Sequence, residues 1–423
     1  MVQNRIKRNF PDWLAWIETV HRREIELGLE RVHAVLETIQ LRHPPFAIIT
    51  VGGTNGKGST VAMLDACLRQ GGYRVGSYTS PHLVRYNERV RIDGIEASDE
   101  ELCAAFERVE HARGRTSLTY FEFGTLAAFD IFRARGVEIA VLEVGMGGRL
   151  DAVNAVDADV AVVTSIGIDH VAWLGHDRET IGREKAGIFR ADRPAICGDP
   201  VPPDSIGAYA RQIGAHALQF GRDFSVQTQD AGWLWRSGAD VRSGLPYPSL
   251  RGEYQLRNAA CALMALASIS DRFPLGLAQV KAGLMHASIP GRFQVSPGVP
   301  VRVFDVAHNA DAARALASTL ARQFIPGVTH AVFGIMKDKD IASVVRAVLG
   351  QVDHWHVATL ATARAAEAAD ILAVLEASGA RNARGYPDIR AAYDAACASA
   401  GKDDRIVVFG SFHAVGDILS RDG

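Results

Sequence analysis

The sequence has no run approaching the eighteen consecutive apolar residues that a membrane-crossing helix requires, which argues against a spanning protein. Its opening stretch has early basic residues, but Asp12, Glu18 and His21 break the apolar segment that a secretory signal needs. Cysteine is scarce. Cys67, Cys103, Cys197, Cys261 and Cys397 are odd in number, scattered and never in CxxC spacing, which suits neither a disulfide framework nor a zinc cage. Charge of one sign is missing too: 46 Lys and Arg face 48 Asp and Glu, so no global field draws nucleic acid or anionic lipid. Solenoid repeats and low-complexity tails are absent. These gaps lead to the expectation of a cytoplasmic protein without nucleic-acid or membrane partners.

What is present is an ordinary globular composition, 423 residues with 48% hydrophobic and 22% charged, long enough for two or three domains. Short β-branched runs recur: 47–51, 73–79, 138–144, 159–166 and 193–198, with helix-like stretches 60–70, 99–112 and 123–134 between them. This alternation predicts a parallel sheet covered by helices. The aromatic and polar segment 221–250 reads as a small antiparallel sheet, and 256–268 as a helix. Three prolines and two glycines in 288–300 interrupt all periodicity and mark a linker. The alternation restarts at 301–306, 330–335, 354–360 and 405–410. The expected organisation is a first domain over 1–289, a linker over 290–300 and a smaller α/β domain over 301–423.

The strongest local feature is AIITVGGTNGKGST, an apolar strand followed by a glycine-rich loop with one lysine and a helix start at Ser59 and Thr60. Glycines let backbone N–H groups turn around phosphate oxygens, a helix N-terminus adds partial positive charge, and Lys57 adds a full one. The form GxxxxGK[ST] is not met, because Val51 holds the first glycine's place and Gly58 follows the lysine. A glycine-rich turn with an exposed lysine is the bland alternative. A dinucleotide fingerprint at EVGMGGRLDA fails, since Leu150 stands where the third glycine belongs. Glu143 lies in an apolar strand, where a carboxylate is costly to bury unless it meets a metal or an arginine.

The chain resembles the folylpolyglutamate synthase and dihydrofolate synthase enzymes, a branch of the Mur ligase superfamily. The resemblance covers nearly the whole length and rests on GGTNGKGST (52–60), TSPHL (79–83), TYFEFGT (119–125), EVGMGGRLDAVN (143–154), IGIDHVAWLG (166–175), REKAGI (183–188), PGR (290–292) and DVAHN (305–309), in the family's order. It implies an α/β fold with a P-loop-type ATPase domain built on a parallel central sheet, plus a smaller Rossmann-like C-terminal domain. It also implies a monomeric, ATP-dependent, ADP-forming carboxylate-amine ligase that uses ATP and Mg2+ at two sites. L-glutamate would be joined to dihydropteroate and to reduced folates through an acyl phosphate. A monofunctional folylpolyglutamate synthase, a cell-wall Mur ligase and a regulatory P-loop ATPase remain as alternatives.

Residue by residue, the resemblance assigns Gly53, Thr54, Asn55, Gly56, Lys57, Gly58, Ser59, Asn258, Arg292, Asp305 and His308 to ATP. It assigns Ser80 and Glu143 to one magnesium and His170 and Lys185 to a second, with Lys185 carbamylated so that an amine becomes a carboxylate. Lys57, Lys185 and His170 are the expected catalytic residues. Without the resemblance, His170 would read equally well as structural and Lys185 as a solvated helix residue. The acceptor would meet Glu26, Leu27, Gly28, Thr119, Tyr120, Phe121, Glu122, Leu150, Asp151 and Ala152. Tyr120 and Phe121 would stack on a flat pterin or aminobenzoate ring, although their spacing alone also fits a core role.

Overall fold

Strand β1 (Ala47–Gly52, AIITVG) is buried along its whole length, so both faces of its sheet must be covered by helices. The computed structural model describes residues 8–23 and 25–422, and it places β1 inside an eight-stranded sheet. The other strands are β2 (Val75–Tyr78), β3 (Val90–Ile92), β4 (Ile95–Glu96), β5 (Ile139–Glu143), β6 (Val160–Val163), β7 (Pro194–Cys197) and β8 (His216–Gln219). They are ordered β4-β3-β2-β5-β1-β6-β7-β8. From β2 to β8 every pair is parallel, while β3 and β4 add an antiparallel edge. In register, Val51 of β1 faces Glu143 of β5, and Gly52 faces Val163 of β6. The carboxyl ends of these three neighbours therefore end at one level, where parallel sheets hold their ligands.

The segment 221–250 forms the small antiparallel sheet that its composition suggests: β9 (Phe224–Gln229), β10 (Gly232–Ser237) and β11 (Asp240–Leu245). Trp233 and Trp235 of β10 are fully buried and anchor it.

A second sheet contains β12 (Gln294–Ser296), β13 (Val301–Phe304), β14 (Thr329–Phe333), β15 (His354–Ala358), β16 (Ala383–Tyr386) and β17 (Arg405–Phe409), ordered β12-β13-β17-β14-β15-β16. All its pairs are parallel except β12 with β13. Helices cover it, and its two faces form separate apolar clusters around Phe333 and Phe304. Both sheets have the α/β architecture expected.

The chain divides into two compact units. The first runs up to Ser80 and takes in Tyr86–Tyr247 and Arg257–Ala287; the second takes in Pro81–Arg85, Pro248–Leu256 and the residues from Ser288 on. Residues 290–300 differ from the expected linker, because they contain β12, a strand of the second sheet, and lie inside the second unit. The cause is local: Gly291, at φ +70°, turns the chain, Gly291 N–H donates to Gln294 Oε1 at 3.0 Å, and Phe293 N–H donates to Asp305 at 2.8 Å. Among the described residues no helix is long and apolar enough to cross a membrane.

Candidate active site

The phosphate loop leaves β1 and enters the helix Lys57–Gln70, which starts at Lys57 rather than at Ser59 and Thr60 because Gly56 caps it in a left-handed conformation, φ +91°. A side chain at Gly56 would put its Cβ 2.5 Å from Asn258 Oδ1, and one at Gly53, φ +141°, would fall 2.0 Å from Thr164 Oγ1. Only glycine allows either approach. Asn258, expected at the nucleotide, thus lies against the loop. Gly58 and Ser59 are buried in the first turn of the helix. Lys57 Nζ donates to the carbonyls of Gly53 and Thr54 at 3.1 and 3.3 Å, so its charge rests over the loop it follows.

A second loop, after β6, is interlocked with the first. Thr54 N–H donates to Ser165 O at 2.8 Å. Thr54 Oγ1 accepts from Gly167 N–H at 2.9 Å and donates to Gly167 O at 3.0 Å. Thr164 Oγ1 donates to Asn55 O at 2.7 Å. The second loop is itself tied down by Asp199, which accepts from Ile166 N–H and from Arg178. The same loop leads to His170, which has a left-handed backbone (φ 51°, ψ 41°), is half-buried and precedes the short helix Val171–Leu174.

Glu143 ends β5 and is 4% exposed; Ser80 N–H donates to its carboxylate at 3.1 Å, which joins the two residues expected at one cation. Lys185, in the helix Arg178–Ala186, is buried and not solvated. Burial, and secondarily the charge of Lys57, push its amine down to about 7, with Asp169 and Asp151 acting the other way. Asp151 is also buried; its carboxyl is pushed up to about 7 by desolvation and accepts from Met146 and Val153 N–H. Among the described residues no three His, Cys, Asp or Glu side chains form a ready metal cage. The Glu143 carboxylate and the Ser80 hydroxyl are hard oxygen donors on adjoining residues. That donor set suits magnesium, which binds few protein ligands and keeps substrate oxygens.

Of the expected acceptor residues, Thr119 caps the helix Tyr120–Ala134 in a capping box with Glu122. That box starts the helix three residues earlier than the periodicity suggests. Glu122 is 3% exposed, and both its oxygens are engaged: by Arg31 at 2.8 to 3.2 Å and by Thr119 N–H at 2.8 Å. Tyr120 packs edge-on against Tyr86 and beneath Arg89, a core arrangement rather than an open platform. Phe121 is half-buried on the face of Gly145, where a Cβ would meet its ring at 2.7 Å. Leu150 is half-buried, and Ala152 is buried in a turn of 3-10 helix. Glu26 and Leu27 are half-buried and Gly28 is buried.

In the second unit, Asp305 is buried at the end of β13 and accepts from Phe293 and Ala307 N–H. Burial raises its pKa, against the lowering charge of Arg292. Arg292 lies over the Phe412 ring at 5.3 Å, and His308 packs on the same ring at 6.1 Å. Arg292, Asp305 and His308 are thus grouped within this unit.

The Mur ligase middle domain family matches residues 51–199, and the Mur ligase glutamate ligase domain family matches 291–412. Dihydrofolate synthase/folylpolyglutamate synthase of Escherichia coli is 42% identical over 407 residues, 96% of this chain and 94% of that protein. The chain is a member of the dihydrofolate synthase/folylpolyglutamate synthase family. A structure of E. coli FolC with DHPP and ADP superposes on this family member with a TM-score of 0.93, at 41% identity and 98% coverage of both chains. A bifunctional folylpolyglutamate synthase/dihydrofolate synthase with Mn, AMPPNP and L-glutamate gives 0.91 at 44% identity, again with 98% of both chains covered.

In this family member, sequence reasoning missed Arg31, Thr164, Ser165, Arg178 and Asp199. The T-x-x-E pattern at Thr119 to Glu122 was a readable signal for a capping box. Arg31 had none, because its partner Glu122 is 91 residues away.

Proposed function

We propose that this chain joins L-glutamate to dihydropteroate and to reduced folates, with cleavage of ATP to ADP and phosphate. The observation that supports this reading is the convergence at the ends of β1, β5 and β6: a lysine-bearing phosphate loop, a buried carboxylate at Glu143 beside Ser80, and a buried lysine of depressed basicity at Lys185.

A carboxylate oxygen of the acceptor attacks the γ-phosphorus, the bond to the ADP oxygen breaks, and an acyl phosphate forms. The neutral α-amine of glutamate then attacks the acyl carbon, phosphate leaves, and the ammonium proton is lost. Lys57 stabilises the charge on the transferred phosphoryl group, and the loop N–H groups orient it. Lys185, as its carbamate, and His170 would hold one magnesium, and Ser80 and Glu143 the other. When bound, these ions neutralise phosphate charge. Asn258, and Arg292, Asp305 and His308 of the second unit, are assigned to the nucleotide. Residues 26–28, 119–122 and 150–152 are assigned to the acceptor, with Phe121 the ring that meets it.

The test is ADP release with dihydropteroate, with a tetrahydrofolate and with a cell-wall precursor, each with and without L-glutamate. Glutamate-dependent release with the first two is expected. Release with the tetrahydrofolate alone reduces the reading to a monofunctional synthase, and release without glutamate replaces it with a regulatory ATPase.

A further inference from the structure

Arg31 stands in the first turn of the helix Glu30–Thr38 and meets two separate pieces of chain. Its Nε and one terminal nitrogen fork onto Glu122 at 2.8 to 3.2 Å. Its other terminal nitrogen, Nη1, donates to the Glu26 carboxylate at 2.8 Å, and Nη2, which also bonds Glu122, donates to the Glu26 backbone carbonyl at 2.7 Å. Glu26 is also approached by His21 at 3.7 Å and Arg23 at 3.6 Å. A planar guanidinium with donors on two edges can make this double connection; an ammonium cannot.

The two pieces joined are those assigned to the acceptor. On one side, Glu122 fixes Thr119 through the capping box, and Phe121, between them in sequence, has its ring set on Gly145. On the other side, the connection holds the backbone at Glu26, two residues before Gly28. A partly buried ion pair contributes little net stability, since desolvation offsets attraction, but it fixes geometry well. With its carboxylate saturated by Arg31 and Thr119, Glu122 has no oxygen left over for a ligand's N–H without losing one of them.

We infer that Arg31 is a positioning residue for acceptor binding: it clamps the segment at Glu26 to the N-terminus of the helix Tyr120–Ala134, so that both walls of the acceptor site are set before the acceptor arrives. The inference rests on the proposed acceptor site.

The experiment compares Arg31→Gln and Arg31→Lys with the unmodified enzyme in steady-state kinetics. The KM for dihydropteroate should rise at least tenfold in Arg31→Gln, with kcat and the KM for ATP within twofold. Arg31→Lys should recover only part of the loss, because it keeps the charge and lacks the fork. An unchanged dihydropteroate KM in folded Arg31→Gln overturns the inference, as does a uniform fall in kcat and rise of both KM values together with the melting temperature falling. If Arg31→Gln does not fold, Arg31→Lys decides on the same criteria. Hydrogen exchange in the unmodified enzyme separates the two claims: dihydropteroate should protect peptides covering 25–29 and 119–122. Absence of that protection rejects the acceptor site itself, whatever Arg31 does.

Discussion

Ser165 and Asn55 are bonded twice, Asn55 N–H donating to Ser165 Oγ at 3.0 Å and Ser165 Oγ donating to Asn55 O at 2.9 Å. One hydroxyl therefore holds the middle of the phosphate loop to the loop that leads to His170. Ser165→Ala should leave the fold intact and lower kcat/KM for ATP by about tenfold, the scale of one or two lost hydrogen bonds. Steady-state kinetics with ATP varied would check it. An unchanged value would mean that Thr164, which also bonds Asn55 O, holds the loop alone.

That interlock also marks what the sequence could disclose. β1, β5 and β6 were legible because a strand covered on both faces must be largely apolar, as AIITV, IAVL and VAVV are. The phosphate loop was legible because its chemistry needs glycines and a lysine next to each other in sequence. Glu143 and Lys185 stand out as oddities of residue type, and Lys185 only with the help of family motifs. The Asn55 to Ser165 contact spans 110 residues and uses the commonest of side chains, so no local pattern encodes it. The strands β3, β4, β12 and β16, at or next to sheet edges, leave no readable trace, being short or partly exposed with no sustained alternation. The linker expected at 290–300 fails for the opposite reason: proline and glycine look like punctuation in the sequence, where Gly291 in fact makes a turn into β12.

Lys185 should carry a carbamate in the active enzyme. Carbamylation requires a neutral amine to attack CO2, and burial places this amine's pKa at about 7, so the nucleophile is present at and above neutral pH. The product carboxylate also replaces a positive charge close to Lys57 with a negative one. Carbon-13 bicarbonate should give a carbamate resonance that grows as pH rises through 7 and is missing in Lys185→Arg. Full activity with an unmodified lysine would remove Lys185 from the metal site.

The second unit should weaken in acid through a histidine cluster. His356 Nε2 and His330 Nδ1 are 3.3 Å apart, His330 stacks on His354 at 4.8 Å, and Arg384 adds positive charge. Asp404 and Asp353 oppose this at His330, and Tyr386 bonds His356. Burial, and secondarily the neighbouring histidines, lower the His356 pKa from 6.5 to about 4. Between those values the unfolded chain binds more protons than the folded one, so stability is complete above pH 6.5 and is lost as pH falls towards 4. The loss amounts to at most ~3 kcal/mol, and solvent screening reduces it further. Thermal melts of the full chain from pH 7 to 4.5 should show a smaller acid loss in His356→Phe than in the unmodified protein. Equal losses would place the acid sensitivity elsewhere.

The acceptor side is most sharply tested at Gly145. An alanine there would put its Cβ 2.7 Å from the Phe121 ring tip and 3.0 and 3.1 Å from the adjacent carbons, closer than packed atoms come. The ring must move, because Gly145 lies between β5 and the Asp151 turn and its own backbone is held on both sides. Overpacking of this kind costs about 1–3 kcal/mol, part of which appears as lost binding if Phe121 meets the acceptor. Gly145→Ala should therefore raise the KM for dihydropteroate several-fold and leave the KM for ATP alone, since the phosphate loop follows a different strand, β1. Combining it with Phe121→Leu removes the clash, so the double variant should be more stable than Gly145→Ala alone while its acceptor KM stays high for want of a ring. Calorimetry and acceptor titrations on the three variants separate the effects. A normal acceptor KM in the double variant would show that Phe121 packs against Gly145 without meeting the substrate.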